Sequence, residues 1–328
     1  MSSATTTMGH QVPPKSGLRA FLDRLKGGDE VAHLITLTAA AGILLITSLL
    51  VLELWQTSAL SRHKFGWAFF WTKVWDANFD NFGAAPFIYG TLVTSAIALI
   101  IAVPLGLASA IFLSELAPKR LSDVVSFLID LLAAVPSVIY GLLGIFIVVP
   151  LMRTTIGPAL KRVLGFTPLF SGPNYGVGFL TAGIVLAIMV VPFIISVSRE
   201  VLMTVPREQR EAALALGATR WESTWKVVVP WARSGIMGSV FLALARALGE
   251  TMAVTMVIGN DPKISASLFA PGYTIASVIA NEFTEATGDL YLSALIELGL
   301  VLFLMTFILN GMARLLIVAT ERGGGHPA

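Results

Sequence analysis

Cysteine is absent from the 328 residues of this sequence. That absence excludes disulfide bonds, thiolate metal sites and cysteine nucleophiles. Histidine is nearly as scarce: its four residues stand at positions 10, 33, 63 and 326, in predicted tails, in a connection or at a span end. No buried histidine is therefore expected for a metal site or a catalytic dyad, and we predict neither an enzyme nor a metal or cofactor site.

Charged residues are also few. They make up 13% of the chain, whereas a soluble domain carries about a quarter. Hydrophobic residues make up 55%, and the mean hydropathy is +0.81. Because lipid contact must replace the missing surface charge, the composition indicates a membrane protein. The net charge of +2 and the lack of a broad basic face predict no nucleic-acid partner.

Six apolar stretches are long enough to cross a hydrocarbon layer of about 30 Å. They predict an all-α, polytopic fold with one six-span domain over residues 31–320, preceded by a flexible tail 1–30 and followed by a tail 321–328. Glycine and proline inside the spans predict kinks that a helical bundle tolerates. The predicted spans cover residues 33–55, 86–114, 124–151, 177–197, 234–259 and 291–318.

The distribution of lysine and arginine predicts the orientation. They are about twice as frequent in the connections on one side of the spans as on the other. The basic side is the cytoplasmic side, which places both termini there together with connections 115–123 and 198–233. The three remaining connections, 56–85, 152–176 and 260–290, would face outward.

The inner connection 198–233 has the local signals of two short helices around a glycine turn. Gly217 suits a left-handed stop for the first helix. Thr219 and Glu222 form a capping-box pattern for the second, which Pro230 is expected to end or interrupt. These features alone suit an ordinary interfacial loop as well as a docking knob for another protein.

The spacing of the whole segment favours the docking knob. Glu211, Ala212 and Ala213 are followed by Gly217 and then by a Val-x-Val-Pro sequence that ends at Pro230. This pattern resembles the EAA loop of the permeases of ABC importers. The resemblance implies that the loop enters a groove of a cytoplasmic ATPase and transmits its closure to the spans. The chain has no G-x-x-x-x-G-K-[ST] phosphate-binding loop, so ATP hydrolysis would belong to a partner.

An arginine and a glutamate interrupt the fifth predicted span. Arg246 and Glu250 are four residues apart, which places them on one face of a continuous helix. Charges at that depth are costly in lipid, so they must face the bundle interior, a water-filled cavity or each other. They would either form a structural ion pair or line an anion path, in which Arg246 attracts the anion and Glu250 prevents it from being held too tightly.

Three further acidic residues lie in or near the spans. Asp130 falls on the third predicted span, several residues before Pro136, and could neutralise a basic partner. Glu297 falls in the outer half of the sixth span. Both are candidates for the path, since intramembrane carboxylates often are. Glu115 lies at a span end, where solvation would account for its charge.

Six segments carry a further resemblance, at residues 86–95, 104–108, 113–118, 133–141, 246–260 and 274–283. They are similar to the C-type permeases of the phosphate-specific transport (Pst) system. This resemblance extends from about residue 80 to the end of the last span and does not include residues 1–30. It implies the type I ABC-importer fold, a place in a prokaryotic inner membrane, and a phosphate path through Arg246 and Glu250. The implied partners are an A-type permease, two cytoplasmic ATP-binding subunits and an extracytoplasmic phosphate-binding protein.

Two other readings stay open at this point. Sulfate or molybdate would suit a lone arginine as well as phosphate does. A secondary transporter or channel would also have buried charges, but it should show inverted repeats or paired broken helices. The sequence shows neither inverted repeats nor paired broken helices.

Overall fold

A computed structural model describes residues 29–323 of the chain. Every regular element in that range is helical, and β-structure is limited there to two isolated bridges, Asp76 with Asn81 and Gly259 with Gly272. The predicted all-α class is confirmed. The predicted tails, 1–30 and 321–328, lie almost wholly outside the described residues.

The helices of the described part are numbered α1 to α11 along the chain. Two of them, α5 and α8, contain π-helical turns, and α3 ends in one. The helices are α1 Asp29–Thr57, α2 Ala59–Phe65, α3 Ala85–Leu116, α4 Lys119–Ala133, α5 Ser137–Leu164, α6 Phe179–Met203, α7 Arg207–Ala215, α8 Arg220–Leu248, α9 Met252–Ile258, α10 Ile275–Glu282 and α11 Asp289–Gly323.

The chain divides after Glu53 into two units. The described part of the first unit is a single helix, residues 29–53 of α1. The second unit begins at Leu54 and contains α2 to α11.

Six helices of the described part have the length and apolar composition of membrane spans. They are α1, α3, α5, α6, α8 and α11, which confirms the predicted number of spans. The predicted bounds of the third and fifth spans were wrong, because the chain breaks within each of them.

The third predicted span is two helices. Helix α4 ends at Ala133 and α5 begins after Pro136, whose backbone is extended. Proline disfavours a helical conformation in the residue before it, so the helix ends instead of kinking. The Tyr140 hydroxyl donates to the carbonyl of Leu132 at 2.7 Å and satisfies one acceptor at the end of α4. The apolar helix then continues to Leu164, beyond the predicted limit.

Four prolines, three within helices and one just beyond the end of α3, follow wider turns, whereas Pro104 in α3 and Pro192 in α6 lie in regular α-helix. A proline ring clashes with the carbonyl four residues earlier and lacks an N–H donor. A π turn just ahead of it gives the ring room. Four such turns lie two residues before a proline: Phe112–Leu116 before Pro118, Gly144–Val148 before Pro150, Met152–Ile156 before Pro158 and Thr224–Val228 before Pro230.

Helices α3 and α6 form the centre of the second unit. Ala98 and Ala102 of α3 are fully buried against the buried face of α6, which includes Val190 and Ile194. Small residues allow this close approach. At Gly106 a Cβ atom would lie 2.6 Å from Cγ2 of Ile194, so the α3 backbone packs directly against the Ile194 side chain.

Candidate functional site

Helix α7 and the first turn of α8 form the predicted helix–turn–helix. Helix α7 begins after Pro206, and the chain turns at Gly217, which has the left-handed φ of 87°. The amide of Glu222 donates to Oγ1 of Thr219 at 3.2 Å, and the amide of Thr219 donates to Oε2 of Glu222 at 3.0 Å. The capping box and the glycine stop are therefore confirmed.

Much of the surface of this segment is exposed. Glu211, Ala212 and Gly217 are exposed, and Ala213 is half-buried. Leu216 is 90% exposed, an unusual position for a leucine in a well-ordered turn. Pro230 does not end the second helix, because the π turn before it lets α8 run on to Leu248. The segment therefore presents a small apolar surface at the start of an unbroken span.

An ion pair that the sequence did not indicate fixes α7. Nε of Arg210 donates to Oε2 of Glu115 at 3.1 Å, and Nη2 donates to Oε1 at 2.8 Å. Glu115 is at the end of α3, and its side chain is only 9% exposed, so the expectation that solvation accounts for it was wrong. Arg210 also donates to the carbonyls of Leu202 and Val205, just at and beyond the end of α6. We call Arg210 and Glu115 the inner clamp.

Arg246 and Glu250 are separated by a helix break. Helix α8 ends at Leu248, and α9 begins at Met252. Arg246 lies in the last turn of α8, and Oε1 of Glu250 accepts a hydrogen bond from the amide of Ala253 at 3.1 Å, in the first turn of α9. The prediction that both residues share one helix face was wrong, because the chain leaves the helix at Gly249.

The break gives each charge a favourable helix end. The C-terminal end of a helix is electrostatically negative and suits Arg246, and the N-terminal end is positive and suits Glu250. Among the described residues, the two side chains make no ion pair with each other, and the Arg246 guanidinium has no hydrogen bond. Its Cζ lies 5.7 Å from the centre of the Phe193 ring on α6. Arg246 is exposed on this chain and Glu250 is half-buried.

Asp130 and Glu297 lie in different places. Asp130 is on α4, not on a span, and Oδ1 accepts a hydrogen bond from the Ser196 hydroxyl at 2.8 Å. Its cleft between α4 and α6 is also lined by Arg199. Glu297 is on α11 as predicted, only 3% exposed, and Oε2 has no hydrogen-bond partner.

The surroundings of Glu297 belong to the packing of two helices. One turn before it, Oγ of Ser293 accepts a hydrogen bond from the amide of Ser61 on α2 at 3.1 Å and donates to the carbonyl of Thr57 at 3.0 Å. No hydrogen bond or ion pair joins Asp130 or Glu297 to Arg246 or Glu250 in the described part of the chain. Of the four predicted path residues, Arg246 and Glu250 therefore lie at the α8–α9 break, and Asp130 and Glu297 lie at two separate positions.

Glu282, which the sequence analysis did not single out, accepts hydrogen bonds that join two of the predicted outer connections. Oε2 of Glu282 accepts hydrogen bonds from Nε1 of Trp75 at 2.8 Å and from the Tyr291 hydroxyl at 2.6 Å. The nearby Tyr273 hydroxyl accepts from Asn281 at 3.0 Å, and burial raises the pKa of this phenol to about 12. Trp75, in the predicted connection 56–85, is thereby joined to Glu282 in the predicted connection 260–290. Within residues 29–323, no three His, Asp or Glu residues are grouped as a metal site.

The sequence matches a known family over most of these elements. The family described as binding-protein-dependent transport system inner membrane component matches residues 102–320, from α3 to the end of α11. The chain belongs to this family and is a multi-pass inner-membrane protein.

Individual relatives are more specific. The sequence is 45% identical over 315 residues to the phosphate transport system permease protein PstC of Mesorhizobium japonicum, covering 95% of this chain and 96% of that protein. It is 47% identical over 298 residues to PstC of Xylella fastidiosa strain Temecula1, covering 89% and 91%. A probable PstC of Methanocaldococcus jannaschii is 42% identical over 284 residues, covering 84% and 90%.

Solved structures show the fold. The chain resembles a bacterial ABC transporter involved in the import of the acidic polysaccharide alginate, with a TM-score of 0.56 at 17% identity, covering 90% of this chain and 98% of that one. The alginate transporter in complex with a pentasaccharide-bound periplasmic protein gives 0.54 at 14%, covering 90% and 97%. The inward-facing MetNI methionine transporter gives 0.52 at 16%, covering 72% and 96%. The fold is that of an ABC-importer permease.

Proposed function

We propose that this chain is a permease subunit of an ATP-driven importer of inorganic phosphate. Its relatives over almost the full length are phosphate transport system permeases, and its fold is that of ABC-importer permeases. The observation that carries the proposal is Arg246, an arginine at a break between two helices, whose guanidinium lies near the Phe193 ring but has no hydrogen-bond or ion-pair partner in the described part of the chain. A guanidinium in that position is free to bind an oxyanion through its fork of donors.

The phosphate path runs past Arg246 and Glu250. Arg246 offsets the loss of phosphate hydration, and the nearby negative charge of Glu250 limits the residence time of the anion. Ser196 lies one turn beyond Phe193 along α6 and contacts Asp130, so the polar surface continues toward the cytoplasmic end of α6. Asp130 is therefore a candidate for the inward part of the path. The burial of Glu297 beside α2 favours a packing role for it instead.

The partners follow from the surfaces. An exposed arginine in a span cannot face lipid at low cost, so a second, A-type permease covers the Arg246 face. Two copies of a cytoplasmic ATPase hydrolyse ATP, and one of them docks on α7 through Glu211, Ala212, Ala213 and Gly217, with Pro230 at the base of the segment. An extracytoplasmic phosphate-binding protein docks on the outer connections. Both termini of the chain are cytoplasmic.

Two alternatives have less support. A sulfate or molybdate importer would use the same fold and the same arginine, but the relatives are phosphate permeases. A secondary transporter would also explain broken helices, and the structure does contain breaks at 134–136 and 249–251. Such a transporter has no need of the exposed knob at α7, which family membership explains.

Radiolabelled phosphate uptake tests the proposal. The chain is expressed with its partner subunits in a host that lacks phosphate uptake, and arsenate, sulfate and molybdate are added in excess as competitors. We expect ATP-dependent uptake that arsenate alone inhibits, because arsenate has the charge and shape of phosphate. Uptake of sulfate or molybdate instead of phosphate by an assembled complex would exclude the proposed substrate and retain the importer class. Uptake without the ATPase would exclude the class.

A further inference from the structure

Arg210 connects three helix ends at one point. It lies within α7, it makes both bonds of a two-point ion pair with Glu115 at the end of α3, and it donates to carbonyls at and just beyond the C-terminal end of α6. The side chains of Arg210 and Glu115 are 22% and 9% exposed, so the ion pair is largely shielded from water. A shielded two-point pair fixes the angle between its partners as well as their distance.

Only arginine can make this set of contacts. Its planar guanidinium presents several donors in fixed directions, and here they reach one carboxylate and two backbone carbonyls. Lysine would keep the charge but would offer a single ammonium on a flexible stem. The exposed pair of Lys226 and Glu222, by contrast, lies 3.5 Å apart at the surface of the same segment and joins two residues of one helix.

Packing contacts within α3 and α6 connect the helix ends that Arg210 contacts to the Arg246 site. Helix α3 runs from Glu115 back to Gly106, where it contacts Ile194 of α6 with no space for even a Cβ atom. The residue that precedes Ile194 in α6 is Phe193, whose ring faces the Arg246 guanidinium. Densely packed contacts of this kind move together because they cannot be compressed.

We propose that the inner clamp of Arg210 and Glu115 transmits the movement of α7 to α3 and α6, and through them to the Arg246 site. The proposal rests on the proposed function, since α7 moves only if an ATPase docks on it. In this role Arg210 and Glu115 are positioning residues, and neither contacts the transported anion. A chain of contacts alone does not establish coupling, so a double-mutant measurement is required.

The test compares Glu115→Gln, Arg210→Lys and the double variant in the full transporter, reconstituted in vesicles with the ATPase, the partner permease and the binding protein. Each preparation is measured for ATPase co-purification, for ATP hydrolysis and for phosphate imported per ATP. We expect each single variant to retain the ATPase and its basal hydrolysis but to lower phosphate imported per ATP by roughly 2- to 30-fold. The double variant should be no worse than the more impaired single variant.

Lys226→Gln is the matched control, because it breaks the exposed ion pair of the same segment and should leave the ratio unchanged. An unchanged ratio in both single variants would overturn the proposal. So would losses that multiply in the double variant, since the two residues would then act separately. If the wild-type complex imports sulfate or molybdate instead of phosphate, the same ratio measured with that ion tests the clamp, and the two failures remain distinct.

Discussion

At the scale of single residues, the structure explains how two charges remain in the fifth predicted span. Arg246 and Glu250 do not pair with each other, and each lies at a helix end whose partial charge is opposite to its own. One carboxylate oxygen of Glu250 accepts a hydrogen bond from the amide of Ala253. The Arg246 guanidinium makes no hydrogen bond within the described residues, so its donors remain available to an anion.

Replacing Arg246 tests its role in the path. We expect Arg246→Ala to abolish phosphate uptake, because the variant lacks the charge that offsets the dehydration of the anion. Arg246→Lys should retain a small part of the uptake, since it keeps the charge but loses the fork of donors. The measurement is radiolabelled uptake, with co-purification of the partner subunits to verify assembly. Arg120→Ala, at an exposed position outside the spans, is the control. Normal uptake by an assembled Arg246→Ala complex would contradict the path.

Glu250 allows its charge to be separated from its hydrogen bond. Glu250→Gln keeps an acceptor for the amide of Ala253, so its stability should be close to wild type, whereas Glu250→Ala should lose about 1 kcal/mol with the cap. Uptake by the Gln variant should show a lower kcat together with a lower KM, because the anion is held more tightly. If Glu250→Gln takes up phosphate with wild-type kinetics while uptake by Glu250→Ala is defective, Glu250 acts only as a helix cap.

At the scale of elements, the local signals in the sequence were reliable and the long-range ones were missing. The capping box of Thr219 and Glu222 acts over three residues, and the glycine stop needs only its own φ, so both could be predicted. The break at Gly249 could not, because glycine is common in spans and the spacing of Arg246 and Glu250 also suits a helix. The inner clamp joins residues 95 apart, which no hydropathy pattern can pair.

The contact between α3 and α6 makes a prediction about packing. Gly106→Ala places a methyl group 2.6 Å from Cγ2 of Ile194 and should destabilise the protein by about 1–3 kcal/mol. Ile194→Ala removes Cγ2, so the double variant should lose less stability than the sum of the single variants, by about 0.5–3 kcal/mol.

Thermal unfolding of the purified chain in detergent measures these losses. Gly311→Ala is the control, because a Cβ at Gly311 on α11 meets no atom within 4 Å. Simple additivity of the Gly106 and Ile194 substitutions would mean that α3 and α6 are not in register at this contact.

At the scale of the whole molecule, the exposed charge and the exposed knob are the features that the proposed partner chains would cover. Arg246 is exposed in a span, and Leu216 is exposed on the predicted cytoplasmic segment. The first would be costly in lipid and the second in water. The permease and the ATPase that we propose as partners would remove both costs.

The absence of cysteine makes the orientation directly measurable. A single introduced cysteine is the only thiol in the chain, so its labelling by a membrane-impermeant maleimide reports one position. Ser171, between α5 and α6, and Ala215, at the end of α7, are both exposed. In intact cells we expect Ser171→Cys to be labelled and Ala215→Cys to be labelled only after permeabilisation, because the excess of Lys and Arg places α7 in the cytoplasm. The reverse pattern would put α7 out of reach of any cytoplasmic ATPase, and both the orientation and the docking of α7 would then be wrong.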